Sequence, residues 1–516
     1  MLNINEFKSI DEALQNNWIN NPAKTFIIYK AQPLTYGDVY QLVNGLSGFL
    51  HASGVKKNDK VCMVLPRVPE LIITFLAAAR IGALVIPVNF TLGKIETASF
   101  IRSVKPAAAV IHEKLLSSVD LDILAATCKT TIIAEIDKNA EKKRSHSASF
   151  IPWHSACCPS NNVTAAETQP LAYLNYTTGS TSTPKGALTT HENIYANTVS
   201  AVNAMGFTAD DVHLCMFSSF AHPHELFVRA LYTGASIALL EEINPKTMAA
   251  AICSAKVTAM MGIAPLYDML SSHANNIKLD TLRIAESGGM YTRPDVSERF
   301  FNTFGIPILS VWGSTETTGI AIANTPSSYR MDGSMGRSCP YYEVKVVDED
   351  GREAQVGQTG ELLFRGNAVI SGYIEGSEFP LTGGWYQSGD LGWRDSDGFF
   401  YFTDRKSGLL KVAGLKVYPL QVELCLLEHP AIKEAAVIGI EDKLRGDIPA
   451  AFVVLKENDT VTVDEILRYC NKNMAHYMIP RKMKIVEELP KIGSGKIDKK
   501  QLKQSAAEIL SQVDLR

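Results

Sequence analysis

The stretch that decides the fold is Tyr-Thr-Thr-Gly-Ser-Thr-Ser-Thr-Pro-Lys-Gly at residues 176–186. It follows the apolar run 171–176, which is typical of a buried strand. The amides and hydroxyls of such a loop can donate hydrogen bonds to phosphate oxygens, and Lys185 adds a positive charge. It is not a Walker loop, because no Gly-Lys-Ser/Thr follows Gly179 at the required spacing and Pro184 precedes the lysine. From the residues alone, a phosphate-binding loop and a flexible polar turn are both compatible with it.

The region around this loop has the pattern of an α/β domain. Helical patterns alternate with short apolar runs over residues 36–130, which predicts parallel sheet flanked by helices. The apolar stretch Leu71–Val88 contains Arg80 and Pro87, so we interpret it as a buried helix running into a buried strand and not as a membrane span. The polar segment 137–167 predicts a surface connection. Later strands are predicted at Leu171–Tyr176, His213–Phe217, Ser236–Leu240, Ala259–Ile263, Thr281–Ala285 and Ile308–Trp312.

The pattern changes near Tyr341, where half-buried strands and turns predict a small β-rich subdomain. After residue 404 a small α+β unit begins, with a helix opened by Pro419 and a final helix that carries Leu502, Ala506 and Ile509. The predicted domains are therefore residues 1–403 and 404–516. The predicted fold class is a large N-terminal domain of parallel α/β sheets with the β-rich subdomain, followed by a small, mobile α+β C-terminal domain.

The composition excludes several classes of protein. A chain of 516 residues with a formal net charge of -4 favours a multidomain protein and disfavours nucleic acid as a main partner. Its N-terminus lacks the basic start and apolar run of a signal peptide. The nine cysteines are scattered and have no zinc-ligand spacing. These features predict a cytoplasmic protein without a structural metal.

The loop at 176–186 resembles the signature of the adenylate-forming superfamily, which contains acyl-CoA synthetases, peptide-synthetase adenylation domains and beetle luciferases. Its usual form is Tyr-Thr-Ser-Gly-Thr-Thr-Gly-x-Pro-Lys-Gly. Thr178 and Ser180 are conservative departures from it, and Ser182 replaces a glycine. Further motifs of the family follow in order, and the resemblance extends over nearly the whole chain.

The stretch Trp-Gly-Ser-Thr-Glu at 312–316 resembles the family's aromatic-Gly-x-Thr-Glu segment. The resemblance implies that Trp312 stacks on adenine, that Thr315 meets the phosphates and that Glu316 holds magnesium, with a hydroxyl from Thr181. A carboxylate suits Mg²⁺, which prefers hard oxygen ligands. Without the resemblance, the same residues predict a strand followed by a capped helix.

The remaining motifs lie further along the chain and include a lysine near its end. Ser-Gly-Gly-Met at 287–290 resembles the small-residue loop against adenine, and Asp390 resembles the aspartate that binds ribose. Arg405 matches the arginine at the domain junction, and Lys496 matches the catalytic lysine. A cation there would offset the repulsion between a carboxylate and an anionic α-phosphate. The residues implied to bind the nucleotide are Thr177, Thr178, Gly179, Ser180, Thr181, Lys185, Gly288, Gly289, Trp312, Thr315, Asp390 and Arg405.

Two positions depart from the family pattern. The hinge position holds Ser407, followed by glycine, where Asp or Lys is usual. In the pocket segment, His222 aligns with a gating histidine or aromatic residue, and His224 is a rival for that role. The implied catalytic residues are thus Lys496, Glu316 and His222.

The resemblance implies an ATP- and Mg²⁺-dependent enzyme that makes an acyl-adenylate, releases pyrophosphate and passes the acyl group to coenzyme A. A freestanding enzyme that loads a separate carrier protein is the alternative, and a luciferase-like oxidative enzyme shares the same motifs. An inactive scaffold is disfavoured because Lys496, Glu316 and Asp390 are all present. The mostly apolar pocket candidates predict an apolar acyl or aryl acid, with Glu225 as the one nearby residue that could pair with an amino acid's ammonium.

Overall fold

The computed structural model of the chain describes residues 2–3, 6–7, 9–134, 150–158, 170–177, 185–273, 277–374, 378–442, 446–492 and 496–510. Contacts along the backbone divide the chain into two compact units. Unit 1 comprises residues 1–344 and 364–386, and unit 2 comprises residues 345–363 and 387–516. The domain boundary predicted at residue 404 stays a prediction.

The helices and strands of the chain up to residue 338 belong to unit 1. Its helices are α1 Ile10–Asn20, α2 Tyr36–Ala52, α3 Pro69–Arg80, α4 Lys94–Val104, α5 Leu121–Thr127, α6 Trp153–Ala156, α7 His191–Met205, α8 Val228–Thr233, α9 Pro245–Ala255, α10 Ala264–Ser272 and α11 Pro294–Phe304. Its strands are β1 Thr25–Tyr29, β2 Gln32–Thr35, β3 Lys60–Val64, β4 Leu84–Pro87, β5 Ala108–His112, β6 Thr130–Ala134, β7 Phe150–Pro152, β8 Leu171–Thr177, β9 Lys185–Thr190, β10 Val212–Cys215, β11 Ser236–Leu239, β12 Ala259–Gly262, β13 Ile284–Ser287, β14 Ile308–Ser314, β15 Gly319–Ala323 and β16 Ser334–Ser338. Short 3-10 helices lie at Glu113–Ser118 and Pro223–Leu226.

These strands form two sheets. One has the order β7-β6-β5-β3-β4-β8-β9, parallel except for the antiparallel pair β8–β9. In the other, β11-β10-β12-β13-β14 follow one another as a parallel array, which β15 and β16 continue in antiparallel fashion. The parallel strands are mostly apolar and buried, as is typical of parallel sheets. The stretch Leu71–Val88 is the buried helix α3 followed by the buried strand β4, as predicted. Among the described residues no helix is long and apolar enough to cross a membrane.

Unit 2 is built from smaller sheets. The remaining elements of the chain are β17 Glu343–Val347, β18 Gly360–Arg365, β19 Leu381–Thr382, β20 Trp385–Arg394, β21 Phe400–Arg405, β22 Leu410–Val412, β23 Leu415–Val417, α12 Pro419–Leu427, β24 Ile432–Asp442, β25 Gly446–Leu455, α13 Val463–Asn473, β26 Lys482–Ile485 and α14 Lys499–Leu510. Of these, β17, β18 and β20 straddle the division, β19 belongs to unit 1, and the others belong to unit 2. A one-turn 3-10 helix lies at Lys406–Gly408. Strands β17, β18, β20 and β21 are neighbours, and a five-stranded sheet has the order β23-β22-β25-β24 with β26 beside β25. Helix α12 begins at Pro419 as predicted, and Leu502 and Ala506 of α14 are buried.

The predicted fold class is confirmed, and one local prediction is wrong. Residues 150–157 are not a surface connection, because β7 pairs with β6 and the carbonyl of Cys157 packs on Gly45. A Cβ atom at Gly45 would lie 2.4 Å from that carbonyl oxygen. The segment 137–167 is polar on average, and this average concealed the short apolar run at Phe150 and Ile151 whose backbone completes the sheet edge. Residues 137–149 and 159–167 of the same prediction lie outside the described part of the chain.

Candidate active site

The parallel strands of the second sheet of unit 1 end at one edge, where several predicted site residues follow them. The register pairs Gly262 with Ser287 and Ser287 with Ser310, so that β12, β13 and β14 run in step. The carboxyl ends of parallel strands are where α/β sheets bind ligands. His222, which follows β10, and Gly288, which follows β13, therefore lie at the edge reached by Trp312 of β14.

The two predicted glycines leave backbone exposed at this edge. Gly288 is buried, and a Cβ atom there would come 2.8 Å from Cγ2 of Val311. Gly289 is exposed and has φ +78°, a left-handed conformation that favours glycine. Space limits Gly288 and backbone conformation favours glycine at Gly289, and both fit the close approach of a flat ligand to the backbone.

Trp312 is buried and stacked on Phe364, with ring centroids 4.2 Å apart and an interplanar angle of 3°. Phe364 therefore occupies one face of the indole. The role of Trp312 toward adenine stays a prediction, and stacking would have to use the other face or the ring edge.

Thr315 and Glu316 lie in the tight turn that joins β14 to β15, so the capped helix considered above is wrong. The turn is held by a hydrogen bond from the Ser314 amide to Oγ1 of Thr317, 2.9 Å long, and Thr318 has φ +58°. A Ser/Thr-rich segment with a glutamate is a helix-start pattern, but here the same hydroxyls satisfy turn amides instead. The side chains of Thr315 and Glu316 are half-buried.

The carboxylate of Glu316 is contacted by two tyrosines. The Tyr373 hydroxyl donates a hydrogen bond of 2.6 Å to Oε1 of Glu316. Tyr386 also hydrogen-bonds Glu316, and burial, followed by the charge of that carboxylate, raises the pKa of both phenols far above its usual value. Both phenols are therefore protonated at neutral pH. No motif described in the sequence analysis assigned a role to Tyr373 or to Tyr386.

The predicted phosphate loop joins β8 to β9, and Lys185 begins the second strand. Thr177 pairs with Lys185 across this hairpin. The Lys185 ammonium lies 5.4 Å from the ring centroid of Tyr373, within cation–π range. Unit 1 thus brings Lys185 and Glu316 to the same tyrosine. The predicted contacts of Thr178, Gly179, Ser180 and Thr181 fall outside the described residues.

The two candidate histidines have different environments. His224 is fully buried, with Nδ1 2.8 Å from the Tyr173 hydroxyl and Nε2 3.0 Å from the carbonyl oxygen of Thr318. Burial lowers the pKa of His224 to about 4, so it is neutral at physiological pH. Both ring nitrogens are engaged in packing β8 against the turn at Thr318, which gives His224 a structural position. His222 is half-buried and keeps its predicted role as a candidate only.

A buried ion cluster lies behind the His222 segment. Arg229 of α8 is 3.3 Å from Glu225 and 2.5 Å from Glu286 of β13, and all three side chains are at most 3% exposed. Burial raises the pKa of Glu286, although the guanidinium of Arg229 opposes that shift. Glu225 is therefore already paired with a fixed cation. No sequence pattern pointed to Arg229.

In unit 2, two of the three predicted residues from residue 390 onward form an ion pair, and the third lies within electrostatic range of them. Asp390 and Arg405 face each other on β20 and β21, with Nε 2.7 Å from Oδ1. Asp390 is buried, whereas the Arg405 side chain is 63% exposed. The pKa of Lys496 is lowered by desolvation and then by the Arg405 cation, while Asp390 acts in the opposite direction. The charges of both members of the pair therefore act on the Lys496 ammonium, although Lys496 is exposed.

The residues present fit a magnesium ion that is shared with phosphates. Among the described residues, no cluster of three or more His, Cys, Asp or Glu side chains could hold a metal. A lone, oriented carboxylate such as that of Glu316 suits Mg²⁺, which takes most of its other ligands from phosphates and water.

Comparisons with known proteins identify the family of the chain. The model of the AMP-binding enzyme family matches residues 14–374, and that of the AMP-binding enzyme C-terminal domain matches residues 421–496. The chain is 28% identical over 505 residues to an indoleacetate–CoA ligase of Aromatoleum aromaticum, covering 95% of this chain and 98% of the relative. It is also 28% identical over 535 residues to a long-chain-fatty-acid–CoA ligase of Bacillus subtilis, covering 97% and 95%. Among solved structures, the o-succinylbenzoate CoA synthetase of Bacillus subtilis in complex with its acyl-adenylate has a TM-score of 0.82 and 25% identity, covering 95% of this chain and 97% of that one.

The chain belongs to the AMP-binding enzyme family and hence to the adenylate-forming superfamily. It is an AMP-forming acid–thiol ligase that uses ATP and magnesium, as the sequence resemblance predicted.

Proposed function

We propose that this protein is an AMP-forming acid–coenzyme A ligase that acts on an apolar monocarboxylic acid. In the first step, an oxygen of the carboxylate attacks the α-phosphorus of ATP and pyrophosphate leaves. In the second, the sulfur of coenzyme A attacks the acyl carbon, the thiol proton is released and AMP leaves. The observation that carries the proposal is the arrangement of Glu316 and Lys185 around Tyr373, which supplies one anion and one cation suited to a magnesium–phosphate group. The two curated relatives described above, matched over nearly their full length, support coenzyme A as the acceptor.

The proposed roles follow from the charge of each residue. Glu316 would hold magnesium, which neutralises the phosphate charge when bound, and Lys185 would contact phosphate oxygens. Asp390 would accept hydrogen bonds from the ribose hydroxyls. Lys496 would stand between the incoming carboxylate and the α-phosphate, where its charge lowers their repulsion. Each role rests on the family resemblance and is compatible with the local geometry of its own unit.

An apolar acid is supported by the environment of Glu225. An amino acid would bring an ammonium group, which needs an accessible carboxylate partner because burying it unpaired is costly. Glu225 is the nearby carboxylate, and it is buried against Arg229 at 3.3 Å. Half-buried apolar side chains lie at the strand ends instead, with Phe220 packed edge-to-face on Phe90. Met260 and Met261 of β12 are fully buried and belong to the core.

The test is a panel of acids in a pyrophosphate-release assay, run with and without coenzyme A. The panel contains a benzoate-like acid, an arylacetate, medium- and long-chain fatty acids, and several amino acids. We expect acyl-CoA formation with at least one apolar acid and no activity with amino acids. Adenylation without transfer to coenzyme A for every acid would favour carrier-protein loading. A preference for an amino acid that Glu225→Gln abolishes would contradict the proposed substrate class.

We infer a cytosolic location from the free state of all nine cysteines, which suits a reducing compartment.

A further inference from the structure

Residues 367–374, the bridging segment, connect the turn that holds Glu316 to the strand that begins at Lys185. At one end, the Ile370 amide donates to the carbonyl of Glu316 at 2.9 Å, and the Thr318 hydroxyl donates to the carbonyl of Ala368 at 2.7 Å. At the other, the Leu188 amide donates to the carbonyl of Gly372 at 3.0 Å. The bridging segment is thus hydrogen-bonded both to the second sheet and to β9 of the first.

This backbone arrangement fixes the position of Tyr373. Tyr373 forms an isolated antiparallel bridge with Ala187, two residues after Lys185. The next side chain, Ile374, packs so closely that a Cβ atom at Gly186 would lie 2.8 Å from its Cγ2. The Tyr373 ring also packs edge-to-face on Phe379, with centroids 5.4 Å apart. A ring held by backbone on one side and by an aromatic neighbour on the other has little freedom to turn.

The Tyr373 side chain contacts an anion through its hydroxyl and a cation through its ring. The hydroxyl, at 2.6 Å from Oε1 of Glu316, donates a charge-assisted hydrogen bond, which orients the carboxylate. The ring, 5.4 Å from the Lys185 ammonium, attracts a cation weakly. Because this contact is weak, a phosphate can replace the ring as the partner of Lys185 at little cost in binding free energy. Glu316 and Lys185 come from different sheets, and Tyr373 is the side chain that contacts both.

We propose that Tyr373 is a positioning residue, whose hydroxyl directs the Glu316 carboxylate toward magnesium and whose ring holds the Lys185 ammonium ready for the phosphates of ATP. This role rests on the proposed function of Glu316 and Lys185. It adds a residue that acts through both of them and that touches neither the metal nor the acid.

The two contacts can be separated by substitution. Tyr373→Phe removes the hydroxyl and keeps the ring, whereas Tyr373→Leu removes both. The matched control is Tyr29→Phe. The Tyr29 hydroxyl is also half-buried and hydrogen-bonds a carboxylate, that of Glu241, which lies in the loop after β11. The probe is a non-hydrolysable ATP analogue, whose binding is measured by calorimetry in EDTA and over a MgCl₂ titration with the full-length chain.

For Tyr373→Phe we expect unchanged binding of the analogue in EDTA and a gain in affinity on adding magnesium that is smaller by about tenfold, the size of one charge-assisted hydrogen bond. Tyr373→Leu should show the same loss and, in addition, weaker binding in EDTA by roughly two- to fivefold. Tyr29→Phe should match the wild type in both conditions. If Tyr373→Leu fails to fold, Tyr373→Phe alone still tests the role of the hydroxyl.

A wild-type magnesium response in Tyr373→Phe would overturn the proposal. So would a wild type whose binding of the analogue does not depend on magnesium. The measurement involves neither an acid nor coenzyme A. A chain that binds the analogue as expected but forms no acyl-CoA would therefore contradict the proposed function and leave the role of Tyr373 standing.

Discussion

Removal of Arg229 is the perturbation whose effect can be worked out furthest from the structure. Its guanidinium lies 2.5 Å from Glu286 and 3.3 Å from Glu225, and all three side chains are at most 3% exposed. Arg229→Met keeps much of the length of the side chain but leaves two buried carboxyl groups without a cation. Loss of one partner from a buried ion pair costs about 3–5 kcal/mol. For a cooperative unit of more than 300 residues, with an unfolding entropy of ~2.1 cal/mol/K per residue, that loss lowers Tm by about 4–6 °C.

The chain contains a matched control for this substitution. Arg299 makes similar ion pairs, with Asp268 and with Asp295, but its side chain is 47% exposed. Solvent screens an exposed pair, so Arg299→Met should change stability by less than about 1 kcal/mol. Differential scanning calorimetry and urea unfolding of both variants give the comparison. The loss in Arg229→Met should also decrease when Glu225 and Glu286 are both replaced by glutamine, because no buried charge then remains.

The pH dependence gives a second measurement on the same variant. The pKa of Glu286 is already raised in the folded protein, chiefly by burial, and loss of the opposing Arg229 charge would raise it further. A carboxyl group whose pKa is higher in the folded state favours folding below its unfolded pKa of about 4.3, and that stability is lost as pH rises through the folded pKa. The deficit of Arg229→Met should therefore grow as pH rises from 5 to 8. A Tm within 1 °C of the wild type at pH 7, or a deficit that does not vary with pH, would refute this reasoning.

Three further predictions concern the half-reactions. Lys496→Ala should lower adenylate formation by several orders of magnitude and spare thiolysis of a supplied acyl-adenylate, in single-turnover assays of each step; equal loss in both would remove Lys496 from its assigned role. Because the pKa of Lys496 is lowered, the adenylation rate of the wild type should begin to fall at a lower pH than it would with a lysine of ordinary pKa. This alkaline decline should be absent from the pH profile of Lys496→Ala. Ser407 lies in the one-turn 3-10 helix Lys406–Gly408, whose φ is compatible with proline. Ser407→Pro should therefore hold this conformation and slow thioester formation more than adenylation. Ser407→Ala is the control. Unimpaired turnover in Ser407→Pro would place the hinge elsewhere.

The amino-acid sequence alone was sufficient for the fold class and the family. Motifs such as residues 176–186 and 312–316 are local in the chain, and the backbone they require is specified by their own small and polar residues. The strand and helix order was predicted for a similar reason, since apolar periodicity is a property of short segments. Prediction failed at residues 150–157, where the polar average of the segment 137–167 hid the short strand β7 and the helix α6.

Only the tertiary structure decided which charges meet. Tyr373 reaches Glu316 because the bridging segment pairs with β9 and with the turn at 315–318, and these contacts join residues far apart in the chain. Likewise, the sequence was compatible with Glu225 as the partner of a substrate's ammonium group. In the structure, Arg229 pairs with both Glu225 and Glu286 of β13, because α8 packs against the sheet. Electrostatic energies fall off with distance and depend on burial, and neither quantity is encoded in the spacing of residues along a chain.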